Sequence, residues 1–281
     1  MTVANSGRPV LTWNLLDRKP SEIAIDAAVP TGIGRDWAWG GADGAGVRVC
    51  IVDSGIEQGH PLIGETAGAW AVEKRDGVAE VVEAEPEDVC GHGTACASIV
   101  RRVAPRCEIS SVRILGPHGA GAADALITGL AWAVEQGFDV INLSLSTPRT
   151  AFKADLRDLA DAAYFRGSVI VASAHNARVE SFPWCFSSVI SVGSHGEDED
   201  DLVLYNPAPP VEFFAKGRAV TVAGLGGAVS RNTGNSFATP HVTGLCALML
   251  SKHPGLTAFE LKTILYLTSA NVKGRTRGQR P

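Results

Sequence analysis

The sequence predicts a doubly wound α/β domain: a mostly parallel sheet with helices on both faces. Three observations lead there. Short Val/Ile-rich runs alternate along the chain with longer helix-like segments. The runs are apolar throughout instead of at every second residue, as strands buried on both faces are. The helix-like segments also carry start and stop signals of their own.

In chain order, strands are predicted at "VRVCIVD" (47–53), "CEISSVRI" (107–114), "FDVINLSL" (138–145), "GSVIVAS" (167–173) and "SVISVGS" (188–194). Helices are predicted between them at "GTACASIVRRV" (93–103), "AADALITGLAWAVEQG" (122–137) and "TAFKADLRDLADAAYFRG" (150–167). The last two end on Gly137 and Gly167, which suit left-handed C-caps. "TGNSFATPHVTGLCALML" (233–250) is apolar on every side in its second half, as a core helix is, yet it opens with Ser236. Pro240 costs at most one bond in its first turn, so the helix can begin there. In "LTAFELKTILYLTS", Thr257 followed by Glu260 is a capping box. The globular domain is read as residues 30–269, after an N-terminal extension (1–29) and before a basic tail (270–281) whose lack of apolar side chains predicts disorder.

A chain of 281 residues, 45% hydrophobic and 20% charged, can bury one large core. Its net charge of -5 gives no reason to expect a nucleic-acid partner. No stretch approaches the roughly 18 uninterrupted apolar residues of a membrane span, so no membrane partner is expected. "MTVANSGRPVLTWNLL" has neither the charged start nor the apolar run of a secretory leader. The expected location is therefore cytoplasmic, or secreted if a leader has been removed. Six cysteines fit no zinc spacing, and Cys50, Cys96 and Cys246 sit in apolar segments. They read as free thiols in a reducing compartment.

Four residues stand where chemistry could be done. Asp53 follows a strand directly, where Asp-Ser-Gly is also ordinary turn punctuation. His92 is flanked by Gly91 and Gly93, whose lack of bulk would leave the ring free to approach a substrate. Ser236 could be a plain N-cap, but the helix N-terminus also supplies positive potential beside its hydroxyl. Asn176 ends "VIVASAHN"; its amide could fill a turn or donate to a developing oxyanion.

In the order Asp53, His92, Ser236, at intervals of 39 and 144 residues, the set resembles the subtilisin-like serine proteases, or subtilases. "VDSGIE", "GHGTACAS" and "GNSFATPHVTG" are similar to that family's three catalytic segments. "VASAHN" is similar to its oxyanion segment and "VINLSLS" to its substrate-pairing strand, and the likeness spans residues 30–268. The resemblance implies Ser236 as nucleophile, His92 as general base, Asp53 as its orienting partner and Asn176 as oxyanion donor. It also implies that Ser144, Leu145 and Ser146 pair with an extended peptide or unfolded protein substrate.

Four departures from the family pattern bear on function. Only Arg101 and Arg102 separate Val100 from Val103, where many members insert a calcium loop, so no cofactor is expected. The acidic run 197–201 reads as a solvated loop. Cys96 follows the His segment as in proteinase K-like members, which implies inhibition by mercurials through Cys96 or Cys90. Ser146 and Ser181 replace glycines at the wall and floor of the primary specificity pocket, which implies a narrow, polar pocket; Glu180 beside it could favour Lys or Arg. Both ends are also shorter than in secreted relatives. Two other readings compete: a peptide-binding module without turnover, opposed by the intact set of four residues, and an esterase. The esterase elbow needs G-x-S-x-G, whereas the chain reads Gly234-Asn235-Ser236-Phe237-Ala238.

Overall fold

The computed structural model describes residues 32–116, 123–177, 179–208 and 210–272. The 1–29 extension and residues 273–281 of the tail lie outside them. A short helix, α1 (Arg35–Trp39), leads into β1 (Arg48–Asp53), and then the hairpin β2 (Gly68–Arg75) and β3 (Val78–Glu83). Next come α2 (His92–Val103), β4 (Glu108–Arg113), α3 (Ala123–Glu135), β5 (Val140–Leu143), α4 (Lys153–Arg166), β6 (Val169–Ser173) and β7 (Ile190–His195). The chain continues through β8 (Leu204–Tyr205), β9 (Phe213–Lys216), β10 (Val220–Ala223), β11 (Val229–Asn232), α5 (Asn235–Lys252) and α6 (Ala258–Thr268).

The sheet order is β3-β2-β4-β1-β5-β6-β7-β9-β8. The pairings from β2 across to β9 are parallel, and an antiparallel strand closes each edge. Strands β5 and β6 are buried at every position, which is why their sequences are uninterrupted apolar runs. The two neighbours of β1 are β4 and β5, reached by connections leaving in opposite directions, so a switch of winding flanks β1. In such sheets a crevice opens beyond the carboxyl ends of the strands at that point.

Alternation along β1 then assigns its side chains. Cys50 and Val52 join the large core with Leu130 of α3 and Leu156 of α4. Asp53 takes the opposite parity and faces the layer holding α2 and α5. Helix α4 ends as predicted, at Gly167 in the left-handed region (φ 81°), and the predicted capping box at Thr257 and Glu260 is formed.

Candidate active site

The side chain of Asp53 is fully buried at the end of β1. His92 Nδ1 donates to it, with separations of 2.8 Å to Oδ1 and 2.9 Å to Oδ2, and the Ser54 N–H donates to Oδ1 at 2.8 Å. The carboxylate therefore fixes the ring's orientation and its tautomer. Asp53 also raises the His92 pKa, against the opposing effect of burial.

The glycines around His92 serve packing more than access. Gly91 is the N-cap of α2 in the left-handed region (φ 84°). A side chain on Gly93 would begin 2.1 Å from the Gly55 carbonyl oxygen, so only glycine lets α2 start this close to the end of β1. Asp88, which the sequence reading missed, ties this turn together. Its Oδ1 accepts from the Cys90 and Gly91 N–H groups, and its Oδ2 from the Thr94 N–H and hydroxyl. The available signal was an Asp close before a helix start.

Ser236 lies in the first turn of α5, where backbone N–H groups have no intrahelical acceptor. Pro240, four residues on, has no N–H to give the Ser236 carbonyl. The Ser144 hydroxyl, at the end of β5, donates to that carbonyl instead, at 2.9 Å. Ser144 Oγ in turn accepts from Asn142 Nδ2 at 3.0 Å, and Asn142 Oδ1 accepts from the Thr243 hydroxyl at 2.9 Å. This buried chain spans from β5 to the third turn of α5. Ser144, expected to pair with substrate, thus also holds the main chain of Ser236.

Asn176 stands exposed after β6. The Asn235 N–H donates to its Oδ1 at 2.9 Å, which leaves Nδ2 free to turn outward. A side chain on Gly234 would begin 3.4 Å from Ser236 Oγ and 3.5 Å from both amide atoms of Asn176. The hydroxyl and the amide thus converge on one point. A cleft of about 320 Å³ is lined by His92, Asn176 and Ser236, and by Ser144, Leu145 and Ser146 along one wall. Six of the seven predicted site positions beside Asp53 therefore share one surface.

Ser181 is the exception. It is fully buried behind the wall, where its hydroxyl donates to Ser146 Oγ at 2.9 Å and accepts from Trp184 Nε1 at 2.7 Å. The two segments are also paired by backbone: Thr147 N–H donates to Phe182 O at 3.0 Å and Phe182 N–H to Thr147 O at 2.9 Å. Glu180 is exposed and accepts from Lys153 Nζ at 2.9 Å. It lines a neighbouring cavity of about 950 Å³ that shares Ala174 and His175 with the cleft.

Cys96 is fully buried beneath the site, its Sγ 3.7 Å from the Ser236 carbonyl oxygen. Burial first, and Asp53 second, raise its thiol pKa well above the usual range. Among the described residues, Asp53, His92 and Cys96 form the one group of three metal-capable side chains within 4.8 Å. Two of the five acids in the 197–201 loop are ion-paired: Asp200 with Lys216 and Arg102, and Asp201 with Arg35.

A buried Asp53 paired with His92, whose ring shares a cleft with the Ser236 hydroxyl and the Asn176 amide, is an arrangement suited to acyl transfer. The sequence profile of the subtilase family matches residues 44–280. The chain belongs to the subtilase family. It is 30% identical over 250 residues to thermitase of Thermoactinomyces vulgaris, covering 84% of this chain and 86% of that one. Similarity to subtilisin DY of Bacillus licheniformis is 31% over 247 residues, covering 83% and 86%. The crystal structure of a cold adapted subtilisin-like serine proteinase superposes with a TM-score of 0.64 at 26% identity, covering 79% of this chain and 82% of that one. As a subtilase this chain is a serine endopeptidase, a hydrolase acting on peptide or protein substrates.

Proposed function

We propose that Ser236, His92, Asp53 and Asn176 carry the peptidase reaction, and that the enzyme performs limited processing of extended peptide or unfolded segments. Ser236 Oγ attacks the scissile carbonyl while its proton passes to His92 Nε2. The oxyanion accepts from Asn176 Nδ2 and the Ser236 N–H. His92 then returns the proton to the departing amine, leaving an acyl-enzyme. A water, deprotonated by His92, hydrolyses the ester and regenerates Ser236. Asp53 stays ionised throughout, stabilising the imidazolium. The observation that carries this reading is the paired Asp53–His92 bond opening on the same cleft as Ser236 and Asn176.

The wall around Ser146 supports the substrate preference. The Trp184–Ser181–Ser146 hydrogen-bond chain and the Thr147–Phe182 pairing draw the two segments together. We expect a shallow, polar primary pocket that favours small side chains over aromatic ones. Glu180, answered by Lys153, gives no basis for a Lys or Arg preference. A restrictive pocket suits few cleavage sites.

Helix α2 runs unbroken through Val100–Val103, so we expect activity to survive chelation of calcium. All six cysteines are free thiols, and burial pushes Cys107 up to about 11 and Cys246 up to about 12. They support a reducing compartment, in which protein isolated from its own cells would titrate with six thiols after unfolding.

Labelling with a fluorophosphonate tests the assignment. Wild type should be modified at Ser236 and cleave peptide substrates, and Ser236→Ala should do neither. Stoichiometric peptide cleavage by Ser236→Ala would reject it. A wild-type protein that binds peptide but resists the label would favour a binding module without turnover.

A further inference from the structure

Asn235, between Gly234 and the proposed nucleophile, has no part in the chemistry above, yet its side chain makes four bonds. Its Oδ1 accepts from the Ser194 N–H at 3.0 Å and the Ser194 hydroxyl at 2.7 Å. Its Nδ2 donates to the Ala174 carbonyl at 3.1 Å and the His175 carbonyl at 3.2 Å. A primary amide has two lone pairs on oxygen and two protons on nitrogen, and all four are used. A fifth bond runs from the Asn235 main chain, whose N–H reaches Asn176 Oδ1 at 2.9 Å.

These bonds join three elements. Ser194 belongs to β7, Ala174 and His175 form the turn leaving β6, and Asn235 opens α5. The turn carries Asn176, and α5 carries Ser236. Asn176 is itself exposed and depends on this turn for its place. An oxyanion donor must be aimed to within a few tenths of an ångström, because its energy is realised only where charge develops. The side chain of Asn235 fixes the two residues before Asn176, and its main chain fixes the amide itself.

We infer that Asn235 is a positioning residue that sets the oxyanion donor Asn176 relative to Ser236. The inference rests on the peptidase reading. It also explains the residue type. Asp in this place would keep both bonds from Ser194 but turn a carboxylate oxygen toward two carbonyls, repelling the turn. Ala would leave the Ser194 donors and both carbonyls without their partner. A shorter hydroxyl cannot supply two acceptor sites and two donors at once.

The expected signature is a loss in kcat with little change in KM, because the oxyanion exists only after attack. The experiment uses the full chain and a chromogenic peptide anilide with a small residue before the scissile bond. It compares wild type, Asn235→Asp, Ser194→Ala, Asn176→Ala, and the two double variants that include Asn176→Ala. Asn235→Asp should lower kcat on the order of 10–100-fold with KM within about twofold. Ser194→Ala, which removes one of the two bonds to Oδ1 and leaves the fold's apolar contacts intact, should lower kcat about 2–5-fold. In the Asn176→Ala background both effects should shrink to less than about twofold, since there is no donor left to aim.

Equal losses from Asn235→Asp with and without Asn176 would overturn the inference, as would a kcat within twofold of wild type. If Asn235→Asp does not fold, the Ser194→Ala cycle decides by the same criterion. A wild-type enzyme without activity would instead reject the peptidase reading, so the two failures are distinguishable.

Discussion

His241 lies five residues beyond Ser236 on α5 and is 1% exposed, with neither ring nitrogen hydrogen-bonded to protein. Burial, reinforced by Arg102 and Lys216 and opposed by Asp200, lowers its pKa from 6.5 to about 3; His195 also faces it. The folded protein thus keeps this imidazole neutral where the unfolded chain would protonate it. Its contribution is fully present above pH 6.5 and is lost as pH falls from there toward 3. At 1.36 kcal/mol per pH unit, the loss between pH 7 and pH 5 is about 2 kcal/mol. His241→Leu removes the titration at similar volume. The assay is urea unfolding at pH 7, 6 and 5, in a Ser236→Ala background to prevent self-digestion. The variant's stability relative to its parent should rise by about 2 kcal/mol across that interval. His92, whose pKa is shifted the opposite way, is common to both proteins and cancels in the difference. Parallel stability curves for variant and parent would refute the reasoning.

Further outcomes follow from the site. Subtilisin, the type enzyme of the family, loses about 10²–10³ in kcat when its oxyanion amide is removed, and Asn176→Leu should do the same here with KM little changed, measured by steady-state kinetics. Because Asp53 holds the His92 pKa above 6.5, the acid limb of the kcat/KM profile should have its midpoint above that value; Asp53→Asn should move it lower. Mercurials should inhibit by reaching Cys96 beneath Ser236, and Cys96→Ser should remain active after treatment, whereas inhibition persisting in that variant would point to Cys90. Gly93→Ala forces a side chain onto the Gly55 carbonyl and should cost about 1–3 kcal/mol in urea unfolding.

The central strands and the five long helices, α2 to α6, were legible because fully buried parallel strands announce themselves as apolar runs, and because Gly167 and Thr257 mark helix ends. The β2–β3 hairpin was missed although its signal is present. Asp76 and Gly77 both take positive φ (53° and 82°) between two alternating segments, the pattern of a tight hairpin turn. Strands β8 to β11 are two to four residues long and carry no period to read. At the site, chemical type and order identified the reacting residues, but their long-range supports were invisible. Asn142 and Asn235 act through hydrogen bonds to residues distant in sequence, and a polar side chain looks the same whether or not it has such a partner. Asp88 bonds locally, to residues 90–94, and was legible as an Asp close before a helix start. Ser181 is buried against Ser146 and does not line the cleft, a distinction that position in the sequence does not carry.

Pro240 shows how a local defect becomes a structural device. A proline in the second turn of a helix removes one main-chain bond, which would ordinarily be a loss. Here the carbonyl it frees belongs to Ser236, and the helix cannot satisfy it from within. The acceptor is instead taken by Ser144 from β5, which Asn142 and Thr243 hold in turn. The nucleophile's main chain is thereby tied to the sheet that carries Asp53, so serine and acid share one rigid frame despite the 182 residues between them. Replacing Ser144 by Ala would leave this buried carbonyl only the weak thiol donor of Cys96, at about 1–3 kcal/mol. The helix gives up a bond within itself, and the site gains one across elements.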